Sequence, residues 1–398
     1  MVQAKVRLSR RRFLQGAAAF AGSTVAGSLL AGCGRIAGAE RLPTPTTLGP
    51  EASPSPTPRV RPKEAKYYAQ LANGQVRCLQ CPRRCQIATG ARGFCQTREN
   101  QKGRLYSLVY GRLCIARPVP IEKSAIFHLL PGTQSYSVAT AGCNLACMYC
   151  QNYAVARARP EEVEAWDMLP EDVVAKALQG RCPSITLSYS EPTIAFENLL
   201  EVAKAARARG LRVLVKTGGY INGEPLKELC GHIDAINVDL KGFSEQFYQQ
   251  VCQGELRHVL ETIKAIKEDG RPWLEVANLV VPGYNDNEPM IRALCAWFKD
   301  NLGEEVPLFF SRFEPAYRLK GLPPTPIETL EKAQQIARAA GLRFVYVGNV
   351  PGHRGQNTYC PRCGKLLVER VGFEVKQNRV AGGKCPYCGE AIVGRWQG

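Results

Sequence analysis

The 398-residue sequence lacks several features that would assign it to a simple class. It has no run of about 20 strongly apolar residues, which a membrane-spanning helix requires. Its formal net charge is +17, but no long run of basic residues predicts an arm that binds nucleic acid. With 45% hydrophobic residues, 37 glycines and 27 prolines, the chain is typical of a soluble globular protein with many loops. We therefore expect the charge on a solvated face or on a surface that attracts an anionic ligand.

Acidic residues are absent from residues 1–33, which contain five basic ones. The sequence SRRRFLQG, from Ser9, precedes a weakly apolar stretch rich in glycine and alanine. The paired arginines resemble a twin-arginine export signal, and LAGC, which ends at Cys33, resembles a lipoprotein box whose cysteine is lipidated. We predict a signal over residues 1–33, export by the twin-arginine route and a membrane anchor at Cys33. The alternatives are a disordered basic tail and a cytoplasmic protein.

Proline, serine and threonine dominate residues 41–62, which predicts an extended, solvated tether. We assign residues 34–66 to this linker. The rest of the chain is predicted to contain three parts, which are an N-terminal four-cysteine module (67–115), an α/β core (116–355) and a C-terminal zinc ribbon (356–398).

From about residue 135 onward, short β-branched runs alternate with amphipathic stretches. The runs predict strands at residues 135–140, 184–190, 212–217, 235–240, 273–281, 307–313 and 343–349. Helical spacing of apolar residues predicts helices at 170–179, 195–208, 244–251, 255–268, 288–301 and 325–340. Repeated βα units favour a parallel sheet, and we predict a partial (β/α)6-type TIM barrel flanked by two small cysteine-rich metal modules. Functional residues in such folds collect where the strands end.

Cys143, Cys147 and Cys150 follow the first predicted strand of this core directly. Three thiols leave one unpaired if they form disulfides, and thiolate ligands select zinc, copper(I) or an iron–sulfur cluster. A structural zinc and a fully ligated cluster both need four ligands. Either a distant cysteine supplies the fourth ligand, or one metal position stays open, as at a catalytic site.

The pattern Cys143-x3-Cys147-x-Tyr149-Cys150 resembles the CxxxCxφC signature of the radical S-adenosylmethionine (SAM) superfamily. The resemblance implies a [4Fe–4S] cluster on the three cysteines, with Tyr149 beside the cofactor. The open iron of such a cluster binds the amino and carboxylate groups of S-adenosylmethionine. One electron, supplied by an external one-electron reductant, then cleaves the sulfonium and releases a 5′-deoxyadenosyl radical that abstracts hydrogen from a substrate.

The segment SYSEPT matches the superfamily at a later predicted strand end. Ser190 and Glu191 stand at the final positions of a GGEP-like segment, and the resemblance implies that Glu191 binds the methionine amino group. The alternative is an ordinary strand-to-helix turn, in which Glu191 interacts with the helix dipole.

Two further segments resemble the organic-radical activating enzymes of the same superfamily. KTGGY corresponds to their TNGY segment, with Gly218 in place of the usual asparagine. We predict that Lys216 contacts the methionine carboxylate, and the alternative is a lysine that reaches solvent. VDLKGF matches their DLK segment, in which Asp239 and Lys241 point to one face of a strand and are further candidates for the cofactor site. The alternative is a surface ion pair.

Two other cysteine groups flank the core. The spacing Cys78-x2-Cys81-x3-Cys85-x9-Cys95 supplies four ligands for a closed site, either structural zinc or a second cluster, and we favour zinc. Two CPxCG knuckles near the C-terminus predict a zinc ribbon that depends on its metal to fold, and we interpret the ribbon as a lid or a protein-contact module. Its predicted ligands are Cys360, Cys363, Cys385 and Cys388.

Taken in order, these modules resemble the radical SAM enzymes of the AmmeMemoRadiSam system, relatives of pyruvate formate-lyase activating enzyme, over about residues 67–398. This resemblance implies AMMECR1 and Memo family proteins as partners. The predicted function is that of a radical SAM enzyme acting on an unknown substrate. The alternatives are a glycyl-radical enzyme activase, an iron–sulfur electron-transfer lipoprotein and, third, a ribbon that binds nucleic acid.

Overall fold

The computed structural model describes residues 60–396. The predicted export signal, the predicted lipidation site Cys33 and residues 34–59 of the predicted linker lie outside the described residues. Within residues 60–396, none of the helices combines the length and the apolar character that crossing a membrane would need.

Short antiparallel strands build the N-terminal module. They are β1 (Lys63–Glu64), β2 (Tyr68–Gln70), β3 (Val76–Cys78), β4 (Gln86–Ile87), β5 (Arg98–Gln101), β6 (Arg104–Ser107) and β7 (Arg112–Leu113). They form one sheet in the order β1-β6-β5 and another in the order β2-β3-β4. Strand β1 and the buried residues Val60 and Ala65 lie within the segment predicted as linker. The N-terminal module therefore begins before residue 67.

An eight-stranded sheet forms the core. Its strands are β8 (Ile115–Pro120), β9 (Gln134–Ala139), β11 (Ser184–Leu187), β12 (Arg212–Thr217), β13 (Ala235–Asp239), β14 (Trp273–Val280), β15 (Leu308–Arg312) and β16 (Val345–Gly348), while β10 (Trp166–Asp167) pairs with β7. The order is β16-β15-β14-β13-β12-β11-β9-β8, with β8 antiparallel to β9 and all other neighbours parallel. The sheet thus contains the seven parallel strands that the β-branched runs predict, and an antiparallel edge strand that they do not predict.

Helices connect the parallel strands. They are α1 (Tyr153–Ala156), α2 (Pro170–Gln179), α3 (Phe196–Ala208), α4 (Gly223–Cys230), α5 (Glu245–Phe247), α6 (Leu256–Asp269), α7 (Glu288–Leu302) and α8 (Ile327–Ala339). Local signals explain their ends. The side chain of Asn287 caps α7 by accepting a hydrogen bond from the Met290 N–H, and α6 stops at Gly270, whose φ of 68° favours glycine.

The two faces of the sheet bury different partners. Along β15, Leu308 and Phe310 belong to the large core that includes the helices, whereas Phe309 between them belongs to a second cluster. This alternation follows from the period of two in a strand. The second cluster joins the sheet to the C-terminal module, which contains β17 (Thr358–Tyr359), β18 (Leu366–Val371) and β19 (Glu374–Asn378). The C-terminal module therefore covers the face of β14–β16 that the helices leave free.

Candidate active site

A cavity of about 330 Å³ opens where the parallel strands end, and small-molecule sites typically enclose roughly 300–1,000 Å³. Successive strands contribute to its wall at or just beyond their carboxyl ends. These residues include Ser137, Ser188, Thr217, Asp239, Leu279, Ser311 and Asn349. The sequence analysis predicts the functional residues at this edge, because the carboxyl ends of parallel strands meet there.

Cys143, Cys147 and Cys150 all line this cavity from the loop that follows β9. Burial raises the pKa of Cys143, and it raises the pKa of Cys150 to about 11. A hydrogen bond from the Cys252 thiol, together with the charge of Lys241, lowers the pKa of Cys147 to about 7. The three sulfur atoms therefore face one space in unequal environments, and a bound metal would favour the thiolate form of all three.

The cysteine loop is anchored on two sides. Gly142 has a φ of 93°, and a Cβ atom built there would lie 2.8 Å from the carbonyl oxygen of Cys95, so the position requires glycine. On the other side, the Ala146 N–H donates to the Cys252 carbonyl at 2.8 Å. These contacts hold the loop between the N-terminal module and the end of a π-helical turn (Tyr248–Cys252).

A fourth thiol, that of Cys252, packs against the loop. It is fully buried, and it contacts the Tyr149 hydroxyl at 3.6 Å as well as Cys147. Cys252 is absent from the described residues that line the cavity. Nothing near Cys252 in the sequence marks it, and it stands there as one of the isolated cysteines. A distant fourth cysteine thus contacts the loop, but it does not line the cavity.

Glu191 is almost fully buried and lines the cavity. Its Oε1 accepts hydrogen bonds from the Thr193 N–H at 3.1 Å, the Thr193 hydroxyl at 2.8 Å and the Thr217 hydroxyl at 2.7 Å. Its Oε2 accepts one hydrogen bond, from the Gly218 N–H at 2.8 Å. Glu191 therefore caps the following turn, as the alternative interpretation predicts, while Oε2 keeps capacity for a further donor.

Lys216, Asp239 and Lys241 form a network on the same wall. The Asp239 carboxylate accepts from Lys216 Nζ at 2.8 Å and from Lys241 Nζ at 2.9 Å. Although burial alone would raise the pKa of Asp239, the two ammonium groups hold it well below its usual range. Lys216 also donates to Asn237 Oδ1 at 2.8 Å, so it does not simply extend into solvent. Two cations share one carboxylate, which leaves a net positive charge for an anionic group.

The remaining predicted cofactor residues occupy the same region. Tyr149 and Ser190 both line the cavity. Between Ser188 and Ser190, Tyr189 has a φ of 64°, which is strained for a non-glycine residue. Its carbonyl oxygen accepts a hydrogen bond from the Asn152 side chain at 2.8 Å. The sequence does not predict Asn152 as part of the site, since its contact with Tyr189 joins two segments that are distant in the sequence.

Comparison with known proteins assigns the family. The Radical SAM superfamily model matches residues 137–294. An uncharacterized protein of Methanocaldococcus jannaschii is 46% identical over 332 residues, which cover 83% of this chain and 98% of that protein. The chain belongs to the radical SAM superfamily. The pyruvate formate-lyase-activating enzyme of Clostridium pasteurianum is 26% identical over 162 residues, covering 40% of this chain and 67% of that enzyme.

Among solved structures, a domain of a pyruvate-formate lyase-activating enzyme from Bacteroides vulgatus aligns with a TM-score of 0.37 and 19% sequence identity. The alignment covers 41% of this chain and 98% of that domain.

Membership of the radical SAM superfamily implies a [4Fe–4S] cluster and S-adenosylmethionine, and the site fits both. Three thiols face a single cavity, which suits a cluster with one open iron. The same cavity contains a carboxylate oxygen with free capacity at Glu191 and a net positive network at Lys216, Asp239 and Lys241. These groups match an amino group and a carboxylate by charge.

The C-terminal module of this radical SAM protein contains four clustered cysteines that could hold a metal ion, and we call them the ribbon site. Among residues 60–396, its thiols are the one group of three or more potential ligands whose donor atoms all lie within 4.8 Å of one another. The shortest separations are 3.6 Å for Cys360–Cys388 and 3.8 Å for Cys363–Cys385. Tetrahedral zinc with Zn–S bonds of about 2.3 Å requires about 3.8 Å between sulfur atoms. The sulfur separations suit zinc, and the identity of the metal stays a prediction.

Proposed function

We propose that this protein is a radical SAM enzyme that binds a [4Fe–4S] cluster through Cys143, Cys147 and Cys150 and reductively cleaves S-adenosylmethionine. The observation that carries the proposal is the arrangement of four thiols around one loop. Three of them line a cavity of small-molecule size, whereas the fourth, that of Cys252, contacts Cys147 and Tyr149 but does not line the cavity. A cluster on this loop would therefore keep one iron accessible from the cavity.

The surrounding residues are assigned roles by charge and hydrogen-bonding capacity. Glu191 Oε2 would accept a hydrogen bond from the methionine amino group, since Thr193, Thr217 and Gly218 already fix the orientation of its carboxylate. Lys216 would bind the methionine carboxylate with the one ammonium donor left after its bonds to Asn237 and Asp239. When bound and reduced by one electron, the cofactor supplies a 5′-deoxyadenosyl radical for hydrogen abstraction.

A second candidate within the same class is an activase that generates a glycyl radical on a partner protein. The named relatives favour it, because the Clostridium pasteurianum protein is a pyruvate formate-lyase-activating enzyme. The mouth of the cavity also contains Phe373, from the hairpin tip of the C-terminal module, with 42% of its surface exposed. An exposed aromatic residue at this position could contact a protein substrate.

Anaerobic reconstitution of the full-length chain tests the proposal. With iron, sulfide, dithionite and S-adenosylmethionine, the parent should form 5′-deoxyadenosine, and Cys143→Ala should form none. Cys295→Ala, which removes a fully buried thiol on α7, is the matched control and should retain activity. Absence of product from a parent with a formed and reducible cluster would contradict the enzyme and favour an iron–sulfur electron-transfer protein.

Three predictions from the sequence remain proposals. They are partnership with AMMECR1 and Memo family proteins, export by the twin-arginine route and lipid attachment at Cys33. Membrane fractionation of the parent and of Cys33→Ala tests the lipid attachment, because only the parent should remain with the membrane.

A further inference from the structure

The N-terminal module encloses a second cysteine site, formed by Cys78, Cys81, Cys85 and Cys95. All four residues line a small cavity, whose wall also includes Asn144 and Ile194 of the core. Cys78 ends β3, Cys81 and Cys85 lie in the following loop, and Cys95 precedes β5. Cys78 and Cys81 are buried and the other two are half-buried. The four thiols therefore surround a common interior space.

The spacing of these thiols differs from that of the ribbon site. No three of them have sulfur atoms that all lie within 4.8 Å of one another, since the ribbon site alone meets this criterion in the described part of the chain. A single zinc ion would draw its four sulfur atoms to about 3.8 Å. A four-iron cluster instead places one iron at each ligand, so its cysteines stand farther apart. The three thiols of the Cys143 loop share this wider spacing.

A buried amide gives an independent sign of the occupant. Gln80 is 1% exposed and lines the cavity, and neither polar atom of its side chain has a hydrogen-bond partner among the described residues. A buried amide without a partner is costly. The inorganic sulfides of a cluster would accept its N–H, whereas a lone zinc ion brings no additional acceptor.

Other donors already point at the thiols. The Thr97 hydroxyl lies 3.2 Å from Cys95 Sγ, and the Phe94 N–H lies 3.5 Å from Cys85 Sγ. Arg98 is 2% exposed, lines the same cavity and is paired with Glu197 at 2.9 Å. Hydrogen bonds to sulfur and nearby positive charge both stabilise an anionic metal–thiolate centre.

We propose that Cys78, Cys81, Cys85 and Cys95 hold a second [4Fe–4S] cluster, in place of the zinc that their spacing in the sequence favours. The cluster would adjoin the Cys143 loop. Asn144 lines the second cavity, and its carbonyl oxygen accepts a hydrogen bond from Arg83 at 2.5 Å. The proposal concerns the metal of this module and does not depend on the proposed function.

Metal analysis of the full-length chain after anaerobic reconstitution tests the assignment. The parent should contain about eight iron atoms and about one zinc per chain. The triple variant Cys143→Ala/Cys147→Ala/Cys150→Ala should keep about four iron atoms per chain, with the Mössbauer signature of a [4Fe–4S] cluster. About two zinc ions per chain in the parent, or a triple variant with zinc and no iron, would overturn the proposal.

Further variants locate the cluster that the triple variant retains. Adding Cys85→Ala or Cys95→Ala to the triple variant should remove the remaining iron and leave the zinc of the ribbon site. Adding Cys295→Ala instead is the matched control and should leave the iron in place. If Cys85→Ala and Cys95→Ala both retain iron, these residues are not its ligands and the proposal fails. The zinc content measured in each sample shows that the ribbon site remains folded.

Discussion

The N-terminal and C-terminal modules both contribute four cysteines, but they arrange them differently. The ribbon site draws its four sulfur atoms within 4.8 Å of one another, whereas the N-terminal thiols surround a cavity. Both modules attach to the core through buried groups. The N-terminal module uses the Arg98–Glu197 pair, and the C-terminal module uses apolar residues such as Leu367 and Val368 together with Arg370, which donates to the Phe127 carbonyl oxygen.

This difference shows that the number of cysteines does not determine the type of metal site. Two knuckles on facing hairpins bring four thiols to one point, which suits a single ion. The four cysteines of the N-terminal module are unequally spaced in the sequence, with the widest interval between Cys85 and Cys95. This arrangement leaves room for a group larger than a single ion. The location also differs, because Cys95 contacts the loop of the candidate active site at Gly142. The ribbon instead covers a face of the sheet.

The largest expected effect comes from removing a thiol of the ribbon site. Cys385→Ala should abolish its metal binding, and metal binding contributes about 10–16 kcal/mol to the folding of small zinc modules. We expect the C-terminal module to unfold and to expose Phe127, Phe309 and Tyr346, which pack beneath it. Zinc content and hydrogen exchange over residues 356–396 measure this. Cys295→Ala is the control, and protection equal to that of the parent in Cys385→Ala would contradict the prediction.

The attachment of the N-terminal module gives the next largest effect. Arg98→Met should destabilise the protein by about 3–5 kcal/mol, because it leaves the charge of Glu197 buried without its partner. Arg104→Met removes the exposed Arg104–Glu64 pair and should change stability far less, because solvent screens an exposed ion pair. Denaturant unfolding of both variants measures the difference. Equal losses would show that the buried pair does not hold the module.

Much of the core could be predicted from the sequence, because fully buried parallel strands appear as continuous β-branched runs. All seven predicted strands occur in the predicted order. The antiparallel edge strand β8 was not predicted, since Pro118 and Pro120 interrupt its apolar pattern. Helix α4 was not predicted either, because it has only eight residues. Its first residue is Gly223, and Pro225 follows within its first turn.

The site was predictable only where its residues lie together in the sequence. The loop from Cys143 to Cys150 and the strand-end residues Glu191 and Asp239 follow from local motifs, and the structure places them around one cavity. Cys252 and Gln80 could not be found in this way. Cys252 contacts Cys147, and Gln80 lines the same cavity as Cys95. Both arrangements depend on the packing of whole elements.

The interface beneath the ribbon contains two buried groups with opposite pH dependence. Burial raises the pKa of Glu275 to about 7 and lowers that of His128 to about 3, and the charge of Arg370 adds to the shift of His128. Below pH 6.5 the unfolded chain protonates His128 and the folded one does not, so acidification lowers stability. Between pH 7 and 4.5 the folded chain protonates Glu275 and the unfolded chain does not, so acidification raises stability. For each pH unit in which both groups act, this gain is about equal to the loss from His128.

Replacing one of these two groups should expose the dependence of the other. In Glu275→Gln, stability should fall by about 1.4 kcal/mol for each pH unit between pH 6.5 and 4.5 relative to the parent, because only the His128 contribution remains. Urea unfolding at several pH values measures the slope. Glu305→Gln changes a half-exposed carboxylate and should keep the parent's slope. A slope in Glu275→Gln equal to the parent's would show that the two contributions do not offset each other.

The smallest expected effect concerns the third group of cysteines, and it tests whether the Cys143 loop is also a closed four-thiol site. Cys252 contacts the loop but does not line the cavity, so Cys252→Ala should retain the iron content of the parent and its formation of 5′-deoxyadenosine. Removing a ligand of a closed site would instead lose iron, as we expect for Cys85→Ala. If Cys252→Ala lost the iron of this loop, the cluster would have four thiolate ligands and no open position. The protein would then carry electrons, and cleavage of S-adenosylmethionine would need a different explanation.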